Sequence, residues 1–121
     1  MKDVQDSSIN SLSSLHAVEH FGLGRYGDPV SPGAYLEAIN EMQRIVQKNG
    51  NIYFSVPIGI QRLEFNAHRI FDPQYIIDLF NKCDLIEFSA IDDDNEFIIN
   101  SKPQNYIASN YSCGLYHFRK K

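Results

Sequence analysis

The segment from Ser14 to Asp28 concentrates side chains that could do chemistry. It reads Ser-Leu-His-Ala-Val-Glu-His-Phe-Gly-Leu-Gly-Arg-Tyr-Gly-Asp and follows a segment whose weak alternation of apolar and polar residues is that of a strand. Imidazole and carboxylate groups can move protons or bind a metal, and a guanidinium group can hold an anion. The segment is therefore the first candidate for a functional site.

One motif in this segment, Gly22-x-Gly24-x-x-Gly27, has the spacing of a dinucleotide-binding fingerprint. That fingerprint works when its last glycine opens a helix whose N-terminus holds the pyrophosphate. Here Gly27 is followed by Asp-Pro-Val-Ser-Pro, and two prolines so close together oppose a helix at this point. We therefore interpret the glycines as part of a bent loop.

A second motif, His16-x-x-Glu19-His20, has the spacing of an inverted zinc-protease motif. Two histidines four residues apart on a helix could share a metal, but the glycines that follow would end such a helix after about one turn. A third ligand would have to come from His68 or Glu64. The alternative is that both histidines form hydrogen bonds in a loop beside a cleft. A zinc hydrolase stays the less favoured alternative, and we predict no metal.

Length and composition narrow the class of protein. A chain of 121 residues is expected to form a single domain, residues 1–121. Its net charge of −4 argues against nucleic-acid binding. It has no apolar run long enough for a membrane span and no signal-peptide pattern at Met1, so we expect a cytoplasmic protein. Cys83 and Cys113 lack metal-binding or redox spacing, and Cys113 is expected to be a buried thiol.

The first half of the chain predicts a strand over 8–14 and a helix that starts at Ser31 and Pro32 and extends to about Lys48. Ser31 and Pro32 have the types preferred at a helix start, and Gly50 is typical of a helix end. The run 51–57 is β-branched and aromatic and ends in proline, which predicts a buried strand.

The second half begins with a polar loop over 58–71, after which Asp72-Pro73 starts a helix that extends to about residue 82. Further strands are predicted over 84–91, 96–100 and 113–119, with the acidic segment 92–95 as a hairpin turn.

Alternating strands and helices, followed by a hairpin, predict an α/β sheet with parallel strands and an antiparallel hairpin at its C-terminal end, with helices on the faces. Ligands of such sheets bind at the carboxyl ends of the parallel strands. This rule places the loops 15–30 and 58–71 beside the same cleft. Both loops are rich in His, Arg, Asn and Glu, so we expect them to form one site.

The residues from Ser11 to Pro57 resemble the second half of a class I S-adenosylmethionine-dependent methyltransferase, a Rossmann-like fold. The strand end Ser-Leu-His-Ala-Val-Glu-His20, the Gln-Lys-Asn-Gly50 turn and Tyr-Phe-Ser-Val-Pro57 carry this likeness. More closely, Glu-His-Phe-Gly-Leu-Gly-Arg-Tyr-Gly-Asp28 and Glu-Phe-Asn-Ala-His-Arg69 are similar to the domain-of-unknown-function family numbered 268.

The resemblance implies transfer of a methyl group from S-adenosylmethionine to a small or glycan-like acceptor. Family enzymes bind the cofactor through a glycine-rich loop after their first strand and an acidic residue that ends their second. This chain starts near their fourth strand, so we expect it to be a truncated domain: the C-terminal half of a methyltransferase-like fold, without the N-terminal cofactor-binding half.

The resemblance also implies a role for each candidate residue. His16 and His68 would be catalytic, and Leu15, Glu19 and His20 would contact the cofactor. The acceptor would be held by residues of both loops: Arg25, Tyr26, Asp28, Asn66 and Arg69. The arginines could instead form ion pairs with neighbouring carboxylates.

A half fold would leave the strand over 8–14 as an unpaired sheet edge. We therefore expect self-association or a partner chain that covers this edge. The alternative function is a non-catalytic remnant or interaction module that binds a partner through the same edge.

Overall fold

The computed structural model describes residues 3–21, 33–64 and 68–121. Its helices and strands in chain order are β1 (Ile9–Leu15), α1 (Ala34–Ile45), β2 (Val46–Ile58), β3 (Arg62–Glu64), β4 (His68–Ile70), α2 (Pro73–Leu79), β5 (Cys83–Ile91), β6 (Phe97–Ile98) and β7 (Ser112–Lys120). Two short 3-10 turns cover Val18–His20 and Pro103–Tyr106. The mixed α/β class expected from the alternating pattern is confirmed.

The main sheet has five strands in the order β1-β2-β7-β5-β6. Strands β1 and β2 are parallel, whereas β7 is antiparallel to both β2 and β5. The last strand of the chain thus lies in the middle of the sheet, and β1 lies at its edge. The predicted parallel strands followed by an antiparallel pair are confirmed. The loop expected over 58–71 contains a small separate hairpin of β3 and β4, which the sequence did not predict.

Helix α2 starts where the Asp-Pro pair predicts. The Asp72 carboxylate accepts hydrogen bonds from the backbone N–H groups of Gln74 and Tyr75, at 2.8 and 3.3 Å, and Pro73 occupies the first turn. In the part of the chain that the structure describes, neither α1 nor α2 has the length and apolar character required to cross a membrane.

Helix α1 ends at Ile45, three residues before the predicted end at residue 48, and β2 starts directly at Val46. Contacts from distant parts of the chain explain the early end. The Lys120 ammonium group donates hydrogen bonds to the backbone carbonyl oxygens of Gln43 and Val46, the second at 3.0 Å. The last carbonyl groups of a helix have no N–H partner within it, and Lys120 supplies a donor for that of Gln43. The residues predicted to start the helix, Ser31 and Pro32, lie outside the described ranges.

One face of the sheet, here called the core face, is covered by both helices. Phe54 of β2 packs edge-on against Phe80, with ring centroids 5.0 Å apart, and Phe80 stacks on Phe118 of β7 at 4.3 Å. The helices contribute to the same hydrophobic cluster through Ala38, Ile39, Met42, Ile45 and Ile76.

The opposite face, here called the open face, includes Leu15, Tyr53, Leu115 and His117. The strand register places these residues on one side, since paired residues of neighbouring strands share a face. Leu15 and Tyr53 are 62% and 40% exposed. The open face carries a shallow cavity of about 260 Å³, lined by Leu15, Tyr53, Phe54, Glu87, Leu115, Tyr116 and His117.

Candidate functional site

The candidate site lies at the carboxyl ends of the parallel strands β1 and β2. His16 follows β1 directly, and its backbone N–H donates to the carbonyl oxygen of Ser55 in β2 at 2.9 Å. His16 has a φ of 53°, a left-handed conformation that is uncommon for a residue with a side chain. Such backbone strain is often found at functional sites, and here it turns the chain sharply out of the strand.

This turn brings the His16 ring to Cys113, the second residue of β7. The Nε2 atom of His16 lies 2.9 Å from the Cys113 Sγ atom. On the other side of the ring, Nδ1 lies 3.4 Å from Oε2 of Glu19. Glu19 reaches this position because the 3-10 turn Val18–His20 folds the chain back against the strand end. Thiol, imidazole and carboxylate thus lie in a row.

The two contacts determine the charge of the His16 ring. The hydrogen bond to Cys113 first, and the one to Glu19 second, raise the pKa of His16 from 6.5 to about 10, whereas partial burial acts in the opposite direction. At neutral pH the ring is therefore protonated, and it donates hydrogen bonds from both nitrogens. The catalytic role that the resemblance implied for His16 stays a prediction, since a general base must be neutral when it accepts a proton.

Glu19 is 2% exposed. Its Oε2 atom contacts His16 and lies 3.8 Å from Nε2 of His20, but its buried Oε1 atom has no hydrogen-bond partner among the described residues. A buried carboxylate oxygen without a donor costs free energy and requires an explanation. A donor group of a ligand at this site would supply the missing hydrogen bond.

Arg69 joins the two loops that the sequence placed beside one cleft. Its guanidinium group donates to the carbonyl oxygen of Phe21 at 2.6 Å and lies over the Tyr35 ring, 4.6 Å from the centroid. Burial lowers the pKa of Arg69, and the ring of Tyr35 offers it a favourable cation–π contact. The described parts of the loops after β1 and β2 therefore do meet.

The described residues include only some of the predicted site. His16, Glu19 and His20 form one cluster, while Leu15 points to the open face next to it. The side chain of His68 lies outside the described atoms, although its backbone belongs to β4. Four further predicted residues lie outside the described ranges: Arg25, Tyr26, Asp28 and Asn66.

Cys113 is the site residue that sequence reasoning missed. It was expected to be a buried thiol, but it is only partly buried and lies on the open face. The pattern of β7 contained the signal. Gly114, Tyr116 and Phe118 are buried, whereas the alternate positions, Cys113 and His117 among them, are half-exposed. A polar residue at 117 indicates that this face contacts solvent, and Cys113 shares it.

The positions of the described side chains also show how far the zinc motif could bind a metal ion. Within the described residues, no three His, Cys, Asp or Glu side chains are grouped so that they could hold a metal ion. His16 and His20 do not lie on a regular α-helix, since only the short 3-10 turn Val18–His20 forms here. The third ligands considered from the sequence, Glu64 and His68, have side chains outside the described atoms.

Comparison with known structures identifies the fold. The crystal structure of the [4+2]-cyclase SpnF matches with a TM-score of 0.65 and 8% sequence identity, over 98% of this chain and 53% of the cyclase chain. A proposed methyltransferase from Bacillus halodurans matches with a TM-score of 0.62 and 12% identity, over 98% of this chain and 67% of the other. The chain thus spans about half the length of the cyclase, and it has a methyltransferase-like fold.

Comparison with curated protein sequences finds no match. A family model matches residues 3–113, which include the strings that suggested the family from the sequence, and this confirms that prediction. The chain belongs to the family described as Caenorhabditis protein of unknown function, DUF268.

Proposed function

We propose that this chain is the acceptor-side part of a methyltransferase that uses S-adenosylmethionine, with a small or glycan-like acceptor. The observation that carries the proposal is the position of the polar cluster. His16, Glu19 and Arg69 lie at the carboxyl ends of parallel strands in a methyltransferase-like sheet, where ligands of such sheets bind. The two free thiols fit a reducing compartment such as the cytoplasm.

The donor set near β1 fits part of the cofactor. S-adenosylmethionine carries an ammonium group and ribose hydroxyls, and Oε1 of Glu19, which no described residue contacts with a donor, would accept a hydrogen bond from one of them. His20 would make further polar contacts. The exposed side chain of Leu15 offers an apolar surface beside them. When bound, the cofactor supplies an electrophilic methyl group. The rest of its site would come from another segment or chain, which accords with a match to about half of the cyclase.

The acceptor would bind between the loops after β1 and β2. Because His16 is protonated at neutral pH, its positive charge would stabilise a negative charge that develops on the acceptor oxygen. His68 is the other residue predicted to be catalytic, and as a neutral imidazole it would remove a proton from the acceptor hydroxyl. Arg69 would hold the acceptor together with the four loop residues that the resemblance implied: Arg25, Tyr26, Asp28 and Asn66.

Calorimetric titration of S-adenosylmethionine and of its demethylated product into the whole chain tests this function. We expect binding that Leu15→Asp weakens at least about tenfold, since a carboxylate would replace apolar contact surface. Ile99→Asp is the matched control, because Ile99 is 61% exposed, close to the 62% of Leu15, but follows β6 at the other edge of the sheet. A folded sample that takes up neither compound would contradict a cofactor site in this chain.

A second candidate function, an interaction module, is favoured by the edge position of β1. One side of β1 pairs with β2, and no other described strand lies on its second side. The neighbouring open face exposes Leu15 and Tyr53. Substitution of His16 and His68 by alanine distinguishes the two candidate functions. An enzyme would lose turnover, whereas an interaction module would still bind its partner.

A further inference from the structure

The row of Cys113, His16 and Glu19 has the composition of a nucleophilic site. A thiol becomes a strong nucleophile when a neighbouring imidazole holds its proton, and a carboxylate on the far side of the ring fixes the ring's orientation. The separations of 2.9 Å from Sγ to Nε2 and 3.4 Å from Nδ1 to Oε2 match this requirement. The same carboxylate carries the buried oxygen Oε1, which has no hydrogen-bond partner in the described part of the chain, and a ligand's donor group would supply one.

We propose that Cys113 is the nucleophile of an acyl-transfer site, with His16 as its proton carrier and Glu19 as the residue that positions His16. The substrate class is an activated acyl group, an ester or thioester with an aliphatic chain. Methyl transfer does not require this chemistry, so the inference goes beyond the proposed function.

The open face favours an acyl group over other electrophiles. Leu115 is two residues from Cys113 on the same face, and Leu15 directly precedes His16. Both line the shallow cavity of about 260 Å³. An aliphatic chain in this cavity would remove apolar surface from water while its carbonyl carbon lies near the thiol.

The alternative of a disulfide within the chain does not fit. The other cysteine of the sequence, Cys83, pairs with Lys120, while Cys113 pairs with Ile91 at the opposite end of the same ladder. Burial also raises the pKa of Cys83 to about 11, which keeps that thiol protonated and unreactive. Cys83 is therefore an internal control for the reactivity of Cys113.

The reaction balances with water as the second substrate. The Cys113 sulfur, whose proton lies on Nε2 of His16, attacks the acyl carbonyl carbon and forms a C–S bond. The C–O bond of the ester breaks, and the proton on Nε2 passes to the leaving alkoxide. Neutral His16 then takes a proton from water, whose oxygen attacks the thioester carbon. The C–S bond breaks, the acid leaves, and the proton stays on His16.

Reaction of the whole chain with p-nitrophenyl hexanoate and p-nitrophenyl acetate tests the proposal. We expect a burst of p-nitrophenolate of one equivalent per chain, faster with the hexanoate, and peptide mapping that finds the acyl group on Cys113. Cys113→Ser should abolish the burst, whereas Cys83→Ala should retain it. His16→Asn should slow it at least about tenfold, and asparagine accepts the positive φ at this position.

The role of Glu19 is tested by the pH profile of acylation. Glu19→Gln removes one of the contacts that raise the pKa of His16, so the limb of the profile set by His16 should move to lower pH. A purely structural role would change the rate without moving this limb. Thermal unfolding of each variant verifies that it is folded.

Three results would overturn the proposal: no acylation of the folded wild-type chain, acylation of Cys83 at the same rate as Cys113, or equal rates in wild type and folded His16→Asn. The assay contains no S-adenosylmethionine. Its failure would therefore leave the calorimetric test of the proposed function unaffected.

Discussion

The Nε2 atom of His16 lies 2.9 Å from the Sγ atom of Cys113, a residue 97 positions later in the chain. The contact forms because β2 lies between β1 and β7, so that the residue after β1 can reach across β2 to the start of β7. It is the main reason why the pKa of His16 rises to about 10.

Titration of His16 by NMR should therefore show an imidazolium that persists well above neutral pH. Removal of the thiol in Cys113→Ala takes away the first cause of the raised pKa, so the pKa of His16 should fall toward its ordinary value of 6.5. The change should be smaller in Glu19→Gln, because Glu19 is the second cause. His117, which contacts Asn51 at 2.8 Å, serves as an internal reference in the same spectra. A wild-type His16 that titrates near 6.5 would contradict the contact.

Gly50 lies where a side chain does not fit. A Cβ atom at this position would lie 2.7 Å from Cγ1 of Val46 and 2.8 Å from the carbonyl oxygen of Asn10 in β1. We expect Gly50→Ala to lower the free energy of unfolding by about 1–3 kcal/mol, since the backbone of β1 must move. Gly33→Ala is the control, because no atom of the described residues lies within 4 Å of its Cβ position. Denaturant unfolding measures both, and equal stability of the two variants would contradict the close approach.

Lys120 stabilises the end of α1 through the carbonyl oxygens of Gln43 and Val46. Lys120→Met keeps much of the side chain's apolar stem and removes these hydrogen bonds, so we expect a loss of about 1 kcal/mol in the free energy of unfolding. The adjacent Lys121→Met should change little, because the Lys121 ammonium group forms an exposed ion pair with Asp84 at 3.9 Å. A Lys120→Met variant as stable as wild type would show that these carbonyls find other partners.

The edge position of β1 predicts self-association of this chain. Analytical ultracentrifugation of the chain at tens of micromolar should show a species larger than a monomer, since dimers of moderate affinity form in this concentration range. The double substitution Ser11→Lys and Ser13→Lys, at two exposed positions of β1, should shift the protein toward the monomer. Charged side chains on an edge strand oppose its pairing with another chain. Asn40→Lys with Gln104→Lys adds the same charge at exposed positions elsewhere. A monomeric wild type, or equal dissociation by both pairs of lysines, would contradict association through β1.

Local signals in the sequence determined most elements of this fold. The Asp72-Pro73 pair fixed the start of α2, because the carboxylate satisfies the first N–H groups of the helix within four residues. The weak alternation over 8–14 marked β1, and the apolar run before Pro57 marked β2. The alternation of strands and helices indicated the parallel pair. The strand ends and turn shared with methyltransferases pointed to that fold, which the structural neighbours support, and the two longer strings pointed to the family whose model matches residues 3–113.

Only the tertiary structure decided where α1 ends and which residues form the site. The helix end depends on Lys120, far along the chain, and no local pattern contains that contact. Similarly, the sequence singled out His16 and Glu19 but took Cys113 for a buried thiol. The order of the strands brings the start of β7 beside the end of β2, and the positive φ of His16 turns its ring toward that point. Residues so distant in sequence interact only once the chain is folded, so their chemistry depends on the three-dimensional arrangement.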